Sequence, residues 1–89
     1  SWVGDMMGET KIFDSGKFEE ALIEDTVKEV FTILGDCGYN PVNQIVGYLI
    51  SGDPGYISNH KEARKKLTKF NRNQVLAVIL KKFVEKWDI

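Results

Sequence analysis

Between Lys17 and Asp36 the apolar residues recur with helical spacing. At about 100° per residue, Leu22, Ile23, Val27, Val30, Phe31, Ile33 and Leu34 spread over about half the circumference, interrupted by Glu19 and Glu20. That arc is wider than the ~100° stripe of a helix lying on one core, so this helix is predicted to touch neighbours on two sides. Asp14 or Ser15 is placed to cap its start, and Glu19 and Glu20 stand in the first turn, where the helix dipole favours negative charge. Gly38 suits the left-handed position just past its end, with Tyr39 as the apolar residue that follows.

Asn40-Pro41 predicts the start of a second helix, Asn as cap and Pro at the first helical position, where a missing N–H costs nothing. Val42, Ile45, Val46, Leu49 and Ile50 fall on one face, while Asn43, Gln44, Gly47 and Ser51 occupy the other. No charge occurs between Pro41 and Gly52, which predicts a helix that is buried or nearly so, its amides satisfied by neighbouring backbone. Gly52 ends it. Asp53-Pro54-Gly55 predicts a turn in which Pro presets φ and Gly55 accepts φ > 0.

A third helix is predicted over 60–70, with Asn59 and Glu62 spaced as a capping box. Ala63, Leu67 and Phe70 form a narrow apolar stripe, and Lys61, Arg64, Lys65, Lys66 and Lys69 fill the rest. A fourth is predicted over 74–87, capped by Asn71 or Asn73. Its run Val75 to Leu80 would also suit a buried strand, but Phe83, Val84 and Trp87 extend the helical spacing and favour a helix. Residues 1–13 show neither period and carry Gly4 and Gly8, so they are expected to form a flexible tail, with 1–5 a vector-derived leader ahead of Met6-Met7. The expected architecture is all-α: one domain over 14–89, a compact bundle of about four helices.

Length sharpens this. A chain of 89 residues buries roughly 60–65% of its unfolded surface, which makes the core adequate but thin. The lone Cys37 excludes an intrachain disulfide framework and fits a reducing compartment. The longest apolar run, Val75 to Leu80, is far short of the ~20 residues that span a bilayer, so no membrane insertion is expected. No secretory signal is visible either, and a cytoplasmic location follows as an expectation. The net charge of −1 hides an asymmetry: residues 1–36 hold nine acids and three bases, residues 59–89 nine bases and three acids. Such ends favour packing against each other, within one chain or between two copies, although solvated helix faces of different sign are the simpler reading.

The catalytic inventory is poor. His60 is the only histidine and is expected to be exposed, so neither a multi-histidine metal site nor a buttressed base stands out. Cys37 lies near a helix C-terminus, where the dipole disfavours a thiolate. The carboxylate pairs Glu19/Glu20 and Glu24/Asp25 lie on a solvated helix, and Gly35-Asp36-Cys37-Gly38 lacks the spacing and lysine of a phosphate loop. No enzyme activity, cofactor or metal is expected. Nucleic-acid binding is better motivated, because 60–72 presents six positive charges, Lys61, Arg64, Lys65, Lys66, Lys69 and Arg72, against one negative. Against it stand a pI of 5.8 and the acidic first helix. A helix-turn-helix also fails, since its recognition helix would be Val75 to Leu80, which must be buried. A solvated basic face, or one meeting a partner subunit's acidic helix, weighs at least about twice as much as a nucleic-acid surface.

The stretch from Gly38 to Ile57, GYNPVNQIVGYLISGDPGYI, is not generic. It resembles the central motif of the IreB family, small cytosolic regulatory phosphoproteins of Gram-positive bacteria, whose pattern G-Y-N-P-x-N-Q-I-V-G-Y-x-x-S-G-D-P-x-Y-I is matched at every fixed position. His60, Ala63, Arg64 and Arg72 also fit the family's downstream run, and the similarity covers roughly Thr10 to Val84. The resemblance implies an all-helical homodimer without catalytic activity. It further implies a substrate of a transmembrane Ser/Thr protein kinase with cell-wall-sensing repeats, and a negative regulator in cell-envelope stress and cephalosporin tolerance. In the family the phosphorylated threonines lie in the N-terminal tail. Glu9-Thr10-Lys11-Ile12-Phe13 matches one of them, so Thr10 inherits the assignment, while Met7 stands near the other.

Two readings of the central motif remain. Asn43, Gln44, Gly47 and Tyr48, with Asn40, Pro41, Asp53, Pro54 and Tyr56, could form a partner or dimer contact. Alternatively Asn40-Pro41 is a cap, Gly47 permits close packing and Asp53-Pro54 is a turn, which explains most of these residues one by one. A dimer seam built by the first, second and fourth helices, intertwined or face-packed, reconciles both, because their apolar arcs exceed what one thin core can bury.

Overall fold

The computed structural model of the protein describes residues 15–87. Among them are four α-helices, α1 (Ser15–Asp36), α2 (Pro41–Ser51), α3 (Ala63–Thr68) and α4 (Arg72–Glu85), and no strand. The all-helical class is as the sequence predicts. The tail expected over 1–13 and the side chains expected to cap α1 lie outside the described residues.

Local chemistry fixes most boundaries. Asn40 is extended (φ −92, ψ 103) and its side chain accepts the Asn43 N–H, with Pro41 opening α2. Gly52 closes α2 in the left-handed region (φ 78), and Gly38 does the same after α1 (φ 87). Asn71 caps α4 by accepting the Asn73 N–H at 2.8 Å.

Four expectations need correction. α1 begins at Ser15, so Glu19 and Glu20 fall in its second turn rather than its first. Gly55 has no positive φ: Pro54–Tyr56 forms a single 3-10 turn, and the Asp53 carboxylate accepts the Gly55 N–H at 2.9 Å, which an ordinary φ permits. The helix expected over 60–70 is shorter and preceded by a 3-10 turn, His60–Glu62, in which Lys61 (φ 50) and Glu62 (φ 63) are both left-handed. Asn59 makes no capping bond there. The cause lies in the preceding residues, because Ile57 is buried and the Ser58 N–H donates to Gln44. The chain must then turn sharply to bring Ala63 and Leu67 into the core. Finally, the faces expected to be covered on α2 and α4 are not covered by their own chain: Val42, Val46 and Ile50 are exposed, and of Val75 to Leu80 only Val75 and Val78 are buried.

The core is correspondingly narrow. Ile23, Val30 and Leu34 of α1 meet Ile45, Tyr48 and Leu49 of α2, with Ile57, Ala63, Leu67, Val75 and Val78 completing the cluster. Burying each large aliphatic side chain contributes about 1.5–3 kcal/mol. α1 touches α2, α3 and α4, which meets the expectation of a helix in contact on more than one side. The charge asymmetry is resolved within the chain: Glu20 pairs with Lys81 (2.9 Å), Glu24 with Lys82 (3.2 Å) and Glu29 with Lys66 (3.1 Å). These pairs set α4 beside α1 with its C-terminal turns against the N-terminal turns of α1. No helix of the described residues is long and apolar enough to cross a membrane.

Candidate functional site

The central motif folds back on itself. Gln44 reaches fourteen residues along the chain to accept the Ser58 N–H at 2.8 Å. Ser51 Oγ donates to the Gly47 carbonyl (2.7 Å) and accepts the Asp53 N–H (3.0 Å), which hands the end of α2 to the 3-10 turn. That turn lays the Tyr56 ring on Gly47, where a Cβ would stand 2.5 Å from Tyr56 Cδ1. Only glycine leaves room for the ring. Two arginines from the downstream run complete the clasp. Arg64 Nε donates to the Ile57 carbonyl at 2.9 Å, and Arg72 donates to the Leu49 carbonyl at 3.1 Å. The second bond places a cation at the negative end of the α2 dipole. The same guanidinium covers Gly52, at which a Cβ would lie 2.8 Å from Arg72 Cζ.

The structure therefore divides the expected contact residues. Asn40 caps, Pro41 starts the helix, Gln44 and Asp53 accept backbone N–H groups, Gly47 is covered and Tyr48 is buried. Facing outward are Asn43, Pro54 and the half-exposed Tyr56, beside the apolar row Val42, Val46 and Ile50. The six expected basic residues divide as well. Arg64 and Arg72 are turned onto carbonyls and Lys66 onto Glu29, which leaves Lys61, Lys65 and Lys69 on the exposed surface, Lys69 lying 6.0 Å from the Phe70 ring centroid. His60 is exposed as expected, yet it is not isolated: its Nδ1 lies 3.1 Å from Ser58 Oγ and 3.4 Å from the Tyr39 hydroxyl. Cys37 is a half-buried free thiol. Among the described residues no group of three or more His, Cys, Asp or Glu could hold a metal ion. Thr10 lies outside the described residues.

The largest uncommitted feature is on α4. At about 100° per residue, Leu76, Ala77, Ile79, Leu80, Phe83, Val84 and Trp87 fall within an arc of about 160°, which past Arg72 contains no charged residue. This arc faces away from the core: Leu80 is 62% exposed, Phe83 54% and Trp87 52%. The Phe83 and Trp87 rings stand edge to face, with centroids 5.4 Å apart. The opposite side of α4 is held to α1 by Val75, Val78 and the lysines. Hydrogen bonds from Lys28 and Lys82 draw the Glu24 carboxyl below its ordinary range, and the Glu24 carboxylate raises the Lys82 ammonium. The arc was legible from spacing alone; its orientation away from the core was not.

Fold and site together define a small helical protein with a self-clasped second helix and a wide uncovered apolar face, a form suited to binding. Residues 8–85 match the family model described as IreB regulatory phosphoprotein. The chain belongs to the IreB family, and membership gives it a regulatory role.

Proposed function

We propose that this chain is a non-enzymatic, cytoplasmic, homodimeric regulator whose output is switched when a Ser/Thr protein kinase phosphorylates Thr10. Its setting is cell-envelope stress and antibiotic-tolerance signalling. The family match supports the regulatory part and the GYNPVNQIVGYLISGDPGYI motif the specific one. The observation that carries the dimer is the outward arc of α4. An apolar face of that width, with Leu80, Phe83 and Trp87 all more than half exposed, is unusual on a monomer's surface. A second copy presenting the same arc satisfies it isologously. Three of the six expected basic residues are engaged within the chain, which leaves a smaller cationic surface for nucleic acid.

Incubating the protein with the cognate kinase domain and ATP, followed by peptide mass spectrometry, tests the switch. Phosphate on Thr10, absent from a Thr10→Ala variant, is the expected result. Modification elsewhere, or none, overturns it. Light scattering at micromolar concentration is expected to return twice the chain mass.

A further inference from the structure

We infer that a phosphate on Thr10 docks on Lys81, Lys82 and Lys86 of α4 and takes the first two from Glu20 and Glu24. The inference rests on the phosphorylation reading above and deepens it by assigning the phosphate a receptor. In the modification the γ-phosphoryl group of ATP passes to Thr10 Oγ1. The new P–O bond forms as the bond to ADP breaks, and the hydroxyl proton leaves to a base of the kinase.

Reach narrows the choice among the basic residues of α3 and α4. Thr10 precedes Ser15 by five residues, which places its side chain within about 17 Å of the start of α1. Glu20 lies five residues into α1, about 7.5 Å along its axis, with Lys81 Nζ at 2.9 Å and 3.1 Å from its two oxygens. Lys66, by contrast, is fixed at Glu29, about 21 Å along the same axis. Lys61 lies farther still, in a hollow lined by Thr32 and Asp36. α1 begins beside the last turns of α4, not where α3 begins.

Chemistry narrows the choice further. The Lys81 and Glu20 side chains are 47% and 34% exposed, so a competing anion can reach both. Lys86 lines a groove between α1 and α4 together with Lys82, Lys28, Glu24 and Glu85. It makes no ion pair among the described residues, whereas Lys82 also pairs with Glu85 at 3.5 Å. A phosphate brings about −1.5 to −2 charge and three acceptor oxygens, where a carboxylate brings one charge and two. Three ammonium groups match it better than they match Glu20 and Glu24 separately. Once Lys81 and Lys82 are taken, Glu24 keeps Lys28 at 3.1 Å, but Glu20 and Glu85 lose the lysines they hold, and the charged clasp between α1 and α4 opens. The outward arc rides on the same helix, so the seam turns with it.

The test uses the full chain with phosphothreonine installed at position 10 during synthesis, so that no kinase is involved. The second ionisation of the phosphate is followed by 31P NMR, in the folded chain and in urea. Its midpoint is expected about one pH unit lower in the folded chain. Lys81→Gln with Lys82→Gln should return it to the unfolded value, whereas Lys65→Gln with Lys69→Gln should leave it displaced. Glu20→Gln with Glu24→Gln, which releases Lys81 and leaves Lys82 only Glu85, should displace it further and serves if the first pair fails to fold. A midpoint indifferent to Lys81 and Lys82, or one that follows Lys65 and Lys69, overturns the inference. A kinase that ignores Thr10 would sink the earlier reading and leave this result standing.

Discussion

Gly47 is fixed by its neighbour rather than by its own backbone, since Tyr56 occupies the space a side chain would need. Alanine at this helical position would otherwise gain up to about 1 kcal/mol in propensity. Overpacking against the ring costs about 1–3 kcal/mol, so Gly47→Ala is expected to destabilise in urea titration. In a Tyr56→Ala background the same substitution should stabilise, and an unchanged sign would show that the ring is not the cause. Lys61 and Glu62 are the opposite case, backbone positions whose left-handed φ no side chain requires. Lys61→Gly should raise stability by about 0.5–1 kcal/mol, read as a higher thermal midpoint. The caps at Asn40, Gly38, Gly52 and Asn71 were legible because each is satisfied within a few residues. The side-chain cap at Asn59 is missing because the Glu62 N–H goes to the Asn59 carbonyl in a 3-10 turn, which follows a Ser58 N–H held by Gln44 across fourteen residues, a bond that no local pattern announces.

At the scale of elements, α4 is held to α1 by two buried valines and a row of ion pairs. Glu24 is drawn below its ordinary value of 4.5, so its contribution is present above that pH and is lost as pH falls through the lower folded value. Lys82 is raised above 10.5, so its share is complete below that pH and is lost only as pH rises past the folded value. Urea midpoints of the wild type should therefore fall below about pH 4.5 more steeply than those of Glu24→Gln. Equal acid limbs would remove the pair from any structural role. Because both side chains are solvated, the effect is expected to be small and weakened by salt. The period of α4 was legible in the sequence. Its depth of burial was not, because a run of apolar residues looks alike whether its own chain or another covers it.

For the whole molecule, the apolar surface left over decides the assembly. Leu80→Glu puts a charge in the middle of the outward arc without touching the core residues Val75 and Val78. Sedimentation should then give a single-chain mass at micromolar concentration with helical circular dichroism unchanged, the dissociation constant rising at least about tenfold for each 1.4 kcal/mol lost. A dimer that survives this substitution would place the seam elsewhere, with the α2 row Val42, Val46 and Ile50 the next surface to charge.

Short-range chemistry, written in adjacent residues, determined by itself the helices, most of their caps, the central motif and the family to which the chain belongs. Tertiary structure alone decided that the acidic and basic halves meet within one chain, and that Arg64 and Arg72 serve carbonyls rather than phosphates. It also decided that α4 turns its broad face outward. The reason is geometric: a side chain's partner at long sequence separation depends on how helices cross, and spacing along one helix carries no information about the next.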